Sequence, residues 1–186
     1  MRHPKKGFTL IELMITVVIL SVLAAVGIPM FANMIRMNAV SAVTNEMLTG
    51  FTYARTEAVR RQTVVSICAR NAPEGLGCGD NWRNGWLVFE NANQAAAPAS
   101  QADVLRVGES LRSANDFVFE PVSSDVPSNT LVHFLRLGEV ATSNSGDAFQ
   151  FDLRMRHQDC TPGHMLQRTI SLSVIGRAQA IQEECP

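Results

Sequence analysis

A long stretch without charged side chains near the N-terminus most restricts how this chain can fold. Between Lys6 and Arg36 the only ionised side chain is Glu12, and residues 13–35 carry no charge at all. As a helix these residues would extend roughly 34 Å, at about 1.5 Å per residue, and a bilayer's hydrocarbon core is about 30 Å thick. The sequence therefore predicts a helix that spans a membrane.

Basic side chains precede this stretch and predict its orientation. Arg2, Lys5 and Lys6 lie within the first six residues. An excess of lysine and arginine holds that end of a membrane helix in the cytoplasm. Everything after Arg36 is therefore expected on the periplasmic or extracellular side.

A cleaved secretory signal peptide is the alternative interpretation. A basic start, an apolar stretch and the small pair Ala24-Ala25 are all typical of one. However, the apolar stretch is longer than the usual 7 to 15 residues of a signal peptide, and Glu12 adds a carboxylate that is costly in lipid. The stretch is therefore expected to remain as an anchor.

The helical pattern continues beyond the membrane segment. Apolar residues recur at spacings of three and four, which is typical of an amphipathic helix: Met37, Val40, Val43, Met47, Phe51, Ala54 and Ala58. The helix is expected to end near Gln62. Pro29, after Gly27, lacks a backbone donor and should kink or locally melt it.

The remainder of the chain has the pattern of β-strands. Residues 149–156 alternate apolar and polar side chains, which indicates a strand with one buried face. Further β-branched or aromatic runs, bounded by turn residues, predict strands at 63–68, 85–90, 104–107, 117–122, 131–137, 148–155 and 169–175. Trp86 and Phe89, aromatic residues at strand spacing, are expected to fill the core. The predicted fold class is α+β, with a long N-terminal helix packed on a mainly antiparallel head.

The first residues carry a family resemblance. The run from Lys5 to Met14, with Gly7, Phe8 and Glu12, resembles the class III signal of type IV pilins and type II secretion pseudopilins. The resemblance implies that a prepilin peptidase cuts between Gly7 and Phe8 and methylates the new amino terminus at Phe8. It divides the chain into a leader (1–7), a transmembrane and assembly helix (8–35), an amphipathic helix (36–62) and a β-rich periplasmic head (63–186).

Glu12 has a physical role under this resemblance. A carboxylate inside a bilayer costs about 2.5 to 3.5 kcal/mol at a helix centre and less near its end. In a bundle of packed helices, the amino terminus at Phe8 of an adjacent subunit could neutralise it. Such a pair would set the register of each incoming subunit.

Two further runs narrow the resemblance. Residues 53–61 and 82–89 are similar to the FimT/FimU minor pilins and the GspH pseudopilins, which share a head family. That implies a lollipop-shaped, non-enzymatic subunit without a cofactor, held in the inner membrane before it joins a pilus or pseudopilus. Its implied partners are other minor and major pilins, prepilin peptidase, the inner-membrane assembly platform and the lipid bilayer. A minor pilin that primes or caps a pilus is favoured, and a type II secretion pseudopilin H is the alternative.

Four cysteines lie on the side expected to be oxidising, so disulfides are expected. Three pairings are possible. Cys68 with Cys78 would make a short clasp between a strand and its following loop, and Cys160 with Cys185 would tie the end of the chain to the sheet. These two pairings are the favoured ones.

Other chemical motifs are incomplete. Residues 157–164 place two histidines near Cys160 but lack a second cysteine-containing half for a zinc site. Residues 75–79 are glycine-rich but lack the Lys-Ser/Thr of a phosphate loop. The sequence offers no serine, histidine and acid arrangement that stands out as catalytic, so neither a metal nor an enzyme is expected.

DNA binding is a second functional alternative. Loss of Arg2, Lys5 and Lys6 from 16 basic residues leaves 13 against 17 acidic ones, a net charge of −4, which disfavours non-specific phosphate binding. Some FimT-type pilins bind DNA through a Gly-Arg-x-Arg motif, and Gly176-Arg177 matches its first half, whereas Gln179 replaces the second arginine. Arg177, with Arg168 and Arg154, is the candidate contact for DNA uptake.

Overall fold

The computed structural model describes residues 7–109, 116–121, 131–141 and 151–186. The chain divides into two compact units, Met1–Asn38 and Ala39–Pro186. One helix, α1 (Leu10–Arg61), contributes residues to both units. The leader expected at 1–7 lies outside the described residues, except for Gly7.

In the first unit, α1 is apolar on every side. Its large aliphatic side chains are exposed, for example Leu13 at 59% and Leu23 at 63%. A helix that is apolar all round requires an apolar environment, and α1 is long and apolar enough to cross a membrane. The helix is continuous through Gly27 and Pro29, and the kink expected there stays a prediction.

In the second unit, α1 buries one face. Six of the seven residues in the predicted apolar stripe are buried: Val40, Val43, Met47, Phe51, Ala54 and Ala58. Met37, the first member of the predicted stripe, is 42% exposed and precedes the second unit. The buried stripe therefore begins one helical turn later than the sequence pattern indicated.

The helix ends where the sequence predicted. Gln62 follows the last helical residue, Arg61, and has a positive φ of 55°, a left-handed conformation that commonly terminates helices. Its side-chain Nε2 donates a hydrogen bond of 2.7 Å to the carbonyl oxygen of Val59. This bond satisfies one of the carbonyls that a helix end leaves without a partner.

Within the described residues, eight strands form two antiparallel sheets. The strands are β1 (Val65–Ala69), β2 (Trp86–Glu90), β3 (Val104–Val107), β4 (Phe117–Pro121), β5 (Leu131–Phe134), β6 (Phe151–His157), β7 (Gln167–Leu172) and β8 (Ala178–Glu183). The first sheet has the order β3-β2-β1-β5 and the second the order β4-β6-β7-β8. Every strand pair is antiparallel, which confirms the predicted α+β class.

Both faces of β1 are covered, since all five of its residues are buried, and both of its edges are paired, with β2 and β5. Ala69 lies opposite Trp86, and both belong to the main core cluster together with Phe51 of α1. Cys68 lies opposite Leu87 on the other face, where a separate cluster forms. The prediction that Trp86 and Phe89 fill cores is confirmed, since they are 2% and 0% exposed.

Aromatic contacts join α1 to the short 3-10 helix that precedes β2 and to β6 of the second sheet. The Phe51 ring centroid lies 6.0 Å from that of Trp82, in the short 3-10 helix Trp82–Asn84, and 5.3 Å from that of Phe151 in β6. The Trp82 and Phe151 rings meet edge-on, 6.3 Å apart. Such rings supply large buried area with defined geometry.

The predicted strands correspond to β1 to β7, with boundaries that differ by a few residues. Residues 122 and 148–150, which were predicted to be in strands, lie outside the described residues. β8 was not predicted, because alanine and glutamine have low strand preference. Its pairing with β7 over six residues shows that a neighbouring strand, and not local preference, produces β8.

Candidate assembly site and head surface

The first described residues surround the expected cleavage point. Phe8 is 80% exposed, and among the described residues no atom other than those of its chain neighbours lies within 4 Å of where a Cβ at Gly7 would lie. Helical structure begins at Leu10, two residues after the bond between Gly7 and Phe8. The bond is therefore accessible and non-helical in this chain.

Thr9 caps the start of α1. The Glu12 backbone N–H donates to Thr9 Oγ1 at 3.2 Å, and the Leu13 N–H donates to the Thr9 carbonyl oxygen at 3.2 Å. Threonine followed three residues later by glutamate is the capping-box pattern, which marks helix starts in sequences. This role of Thr9 was not predicted, although the Thr-x-x-Glu spacing of Thr9 and Glu12 is visible in the sequence.

Glu12 lies in the first turn of α1 and is exposed. A carboxylate in this turn interacts favourably with the positive end of the helix dipole. Its backbone bond to Thr9 does not use the carboxylate. The side chain can therefore face a cation outside this subunit while the helix start stays intact.

Two disulfides hold the head. Cys68 bonds Cys78 and Cys160 bonds Cys185, with Cα separations of 5.6 and 5.4 Å. These are the pairings that the sequence favoured. Cys185 is buried in a cluster with Val40 of α1, so the second disulfide fixes the end of the chain against the helix.

The histidine-rich run near Cys160 has another role. Cys160 is bonded to Cys185, so its thiolate is not available as a metal ligand. Among the described ranges, no group of three or more His, Cys, Asp and Glu side chains could hold a metal ion. The Asp159 backbone N–H donates to His157 Nδ1 at 3.1 Å, which stabilises the turn after β6.

A serine and a histidine meet inside the head. Ser66 Oγ lies 2.6 Å from His133 Nδ1, and Asn91 Nδ2 donates to Ser66 Oγ at 2.9 Å. Ser66 is fully buried, and burial lowers the pKa of His133. A nucleophile must be reachable by its substrate, and the buried Ser66 hydroxyl is not. The pair instead links β1 to β5.

The end of α1 carries a cluster of ionised side chains. Glu57 accepts hydrogen bonds from Arg60 (3.0 and 2.6 Å) and Arg61 (2.7 Å). These bonds lower the pKa of Glu57 to about 2. Arg61 also lies 3.3 Å from Glu90 Oε2 at the end of β2, so the cluster links α1 to the first sheet.

Trp86 lies between two glycines. A Cβ at Gly50 of α1 would be 2.9 Å from Trp86 Cε2, and a Cβ at Gly108 would clash with the same indole. Arg106 lies over the rings of Trp86 and Tyr53, at 5.7 and 5.2 Å from their centroids. Glycine at 50 and 108 therefore permits the close packing of the helix and the first sheet around Trp86.

The three arginines considered for DNA contact do not share one surface. Arg168 lies opposite Met155 and bonds Ser41 Oγ of α1 at 3.3 Å. Arg154, next to Met155 in β6, points to the opposite face, because side chains alternate along a strand. Arg177 is exposed in the turn between β7 and β8. Contact with DNA by these residues stays a prediction.

The fold and its N-terminal segment correspond to a pilin-like membrane-anchored subunit. The family model for the type II transport protein GspH matches residues 43–176, and the prokaryotic N-terminal methylation motif matches residues 2–28. The chain therefore belongs to the GspH family of type IV pilin-like proteins. Members of this family are structural subunits and not enzymes.

Similar proteins include named pilus components. The type IV major fimbrial protein FimA of Dichelobacter nodosus is 35% identical over 103 residues, which are 55% of this chain and 59% of FimA. Prepilin peptidase-dependent protein D of Escherichia coli (strain K12) is 37% identical over 81 residues, which are 44% of this chain and 47% of that protein. The matches therefore take in less than two thirds of either relative.

The type IV minor pilin FimU of Pseudomonas aeruginosa has a similar fold. One crystal form gives a TM-score of 0.53 at 18% identity, over 78% of this chain and 99% of FimU. A second form gives 0.52 at 21% identity, over 80% and 96%. At these identities the likeness concerns the fold.

Proposed function

We propose that this chain is a minor pilin that primes or caps a type IV pilus. Before assembly it resides in the inner membrane through residues 8–35, with its head in the periplasm. Prepilin peptidase removes residues 1–7 and methylates Phe8. The observation that carries this proposal is the presence of a methylation motif and a GspH head in one chain.

Assembly in this proposal uses the first unit. The exposed apolar side chains of α1 leave the lipid and pack against helices of neighbouring subunits, because close packing there replaces lipid contacts. Glu12 pairs with the amino terminus of an adjacent Phe8, which fixes the register. The assembly platform and the other pilins are the partners of this step.

A type II secretion pseudopilin is the second candidate. The matched family model takes its description from a type II transport protein, which favours this candidate. The similarity to FimA proteins favours the pilus. Both candidates use the same processing and the same helix packing, and they differ in the fibre that is built.

Deletion of the gene in its own host separates the candidates. A minor pilin predicts few or no surface pili and normal protein secretion, with piliation restored when the full chain is expressed again. A pseudopilin predicts normal pili and failed secretion. A deletion strain with normal pili and normal secretion would contradict both candidates.

A further inference from the structure

Two turns of the head present aliphatic side chains to solvent. Leu137, in the turn after β5, is 80% exposed, and Ile175, in the turn before β8, is 65% exposed. Val59 of α1 and Val174 are each 42% exposed. We call these four residues the turn patch. Single exposed apolar residues are ordinary, whereas a contiguous group indicates an interaction surface.

The two turns and Val59 of α1 lie next to one another. The Val140 N–H donates to the Val174 carbonyl oxygen at 2.8 Å, which joins the two turns. A Cβ at Gly176 would clash with the carbonyl oxygen of Gly138, so these two backbones are in contact. A methyl of Val59 lies 3.1 Å from where a Cβ at Gly138 would be.

Both turns are held in fixed conformations. Gly138 and Gly176 have φ values of +84° and +76°, which glycine adopts without strain. The Gly138 N–H donates to Leu135 O at 2.9 Å, and the Gly176 N–H donates to Ser173 O at 2.8 Å. Arg55 Nε donates to Gly138 O at 3.1 Å from α1. A preorganised surface loses little entropy when a partner binds it.

The patch has a positive rim. Arg136 precedes Leu137, Arg177 follows Ile175 by two residues, and both are exposed, whereas Glu139, the carboxylate of the first turn, is half-buried. Within the described part of the chain, neither guanidinium has an ion pair. Two copies that met symmetrically through this patch would place these arginines near each other, since such an interface uses the same surface twice. Charge complementarity therefore requires a different, acidic partner.

We propose that the turn patch docks the head of a different pilin subunit, which covers Leu137 and Ile175 with apolar side chains and faces Arg136 and Arg177 with carboxylates. The proposal rests on the assignment of this chain as a subunit of a pilus or pseudopilus. To that assignment it adds which surface of the head makes the contact and which charge the partner carries. An acidic head is a suitable partner because opposite charges on two surfaces favour docking and fix its register.

Site-specific crosslinking in cells tests this contact. The photoreactive residue p-benzoylphenylalanine is placed at position 137 of the full chain, and, as a control, at position 181, where Ile181 is 52% exposed on β8. We expect an adduct with another pilin from position 137 and not from position 181. Arg136→Glu combined with Arg177→Glu should reduce this adduct at least ~5-fold, because the rim charges are reversed.

Other adducts would overturn the proposal. A lipid adduct would show that the patch contacts a membrane, and an adduct with a second copy would show self-association. A missing adduct from position 137, in cells whose fibres contain the chain, would also contradict it.

Incorporation into fibres separates this proposal from the assigned function. Leu137→Asp should lower the amount of the chain in sheared fibres at least ~5-fold, as at a buried contact, whereas Ile181→Asp should change it less than ~2-fold. Equal incorporation of Leu137→Asp would contradict the turn patch alone. Absence of the unsubstituted chain from both pili and pseudopili would contradict the assigned function, and the proposal with it.

Discussion

At the scale of single residues, Glu12 has a charge role that is separable from its place in the helix. Its backbone N–H is bonded to Thr9, and that bond survives replacement of the side chain. We expect Glu12→Ala and Glu12→Gln to be processed normally but to enter fibres poorly, because both lack the charge that pairs with a neighbouring amino terminus. Quantitative blots of membranes and sheared fibres measure the two steps, and normal fibre levels would contradict the pairing.

Glu57 gives a prediction of pH dependence. Its pKa in the folded chain is about 2, below the usual 4.5. Between these two pH values, the unfolded state therefore binds more protons than the folded state. The stabilisation from its hydrogen bonds to Arg60 and Arg61 is full above pH 4.5 and is lost as the pH falls through about 2.

Glu57→Gln should therefore lower the Tm at pH 7 by about 2 to 4 °C, the shift expected for a loss of about 1 kcal/mol in a chain of this size. The difference from the unsubstituted chain should narrow at pH 3. Thermal unfolding of the full chain in detergent measures this, with Glu74→Gln, an exposed site, as the control. A gap that stays constant between pH 7 and pH 3 would contradict the role of the Glu57 carboxylate.

Some residue roles could be predicted from the sequence and others could not. The burial of Trp86 and Phe89 followed from aromatic residues at strand spacing. The link from Arg61 to Glu90 could not be predicted, because these residues are far apart in sequence and meet through the packing of α1 on β2. The opposite faces of Arg154 and Arg168 likewise depend on the register between β6 and β7.

At the scale of elements, α1 packs closely against Trp86 at Gly50. Alanine usually stabilises a helix interior by up to about 1 kcal/mol relative to glycine. At Gly50, however, a Cβ would lie 2.9 Å from Trp86 Cε2, and forcing extra volume into a packed core costs about 1 to 3 kcal/mol. Gly50→Ala should therefore lower the Tm and change the tryptophan fluorescence.

Gly27→Ala is the matched control for this substitution. Apart from its chain neighbours and the nearby backbone of its own helix, no atom of the described residues lies within 4 Å of a Cβ at Gly27, so the Tm of the head should not fall. A Tm for Gly50→Ala equal to or above that of the unsubstituted chain would contradict the close packing of α1 on Trp86.

The disulfide between Cys160 and Cys185 closes a loop across a sequence separation of 25 residues. In the chain-entropy description, a cross-link of this kind stabilises a fold by about 3 kcal/mol. The double variant Cys160→Ser and Cys185→Ser should lower the Tm by about 6 to 12 °C and raise hydrogen exchange in β8. Unchanged exchange and Tm would show that the pairing adds no stability.

The elements themselves differed in how well sequence could predict them. The end of α1 near Gln62 and the antiparallel strands followed from periodicity and strand preference. β8 has weak strand preference and forms because β7 offers a free edge. The start of the buried stripe at Val40 instead of Met37 depends on where the second unit begins, which periodicity does not encode.

At the scale of the whole molecule, the average composition conceals two units that suit different environments, one apolar and one aqueous. The first unit exposes apolar side chains on all sides of α1, whereas the second buries a core between α1 and two sheets. The charge is also divided, since the predicted leader holds three cations and the chain after it is acidic. The sequence predicted this division from the nearly uncharged stretch between Lys6 and Arg36. The turn patch, in contrast, could be recognised only in the structure.

As a pilus or pseudopilus subunit, the chain is expected to be cut between Gly7 and Phe8 and built into a fibre. Mass spectrometry of the chain recovered from sheared fibres tests it most directly, with Gly7 replaced by a larger residue as the uncleaved control. We predict an N-terminal peptide that begins with N-methylated Phe8 in the fibres, and an unprocessed precursor held in the membrane for the Gly7 variant. A fibre-bound chain that still begins at Met1, or normal maturation of the Gly7 variant, would contradict the account.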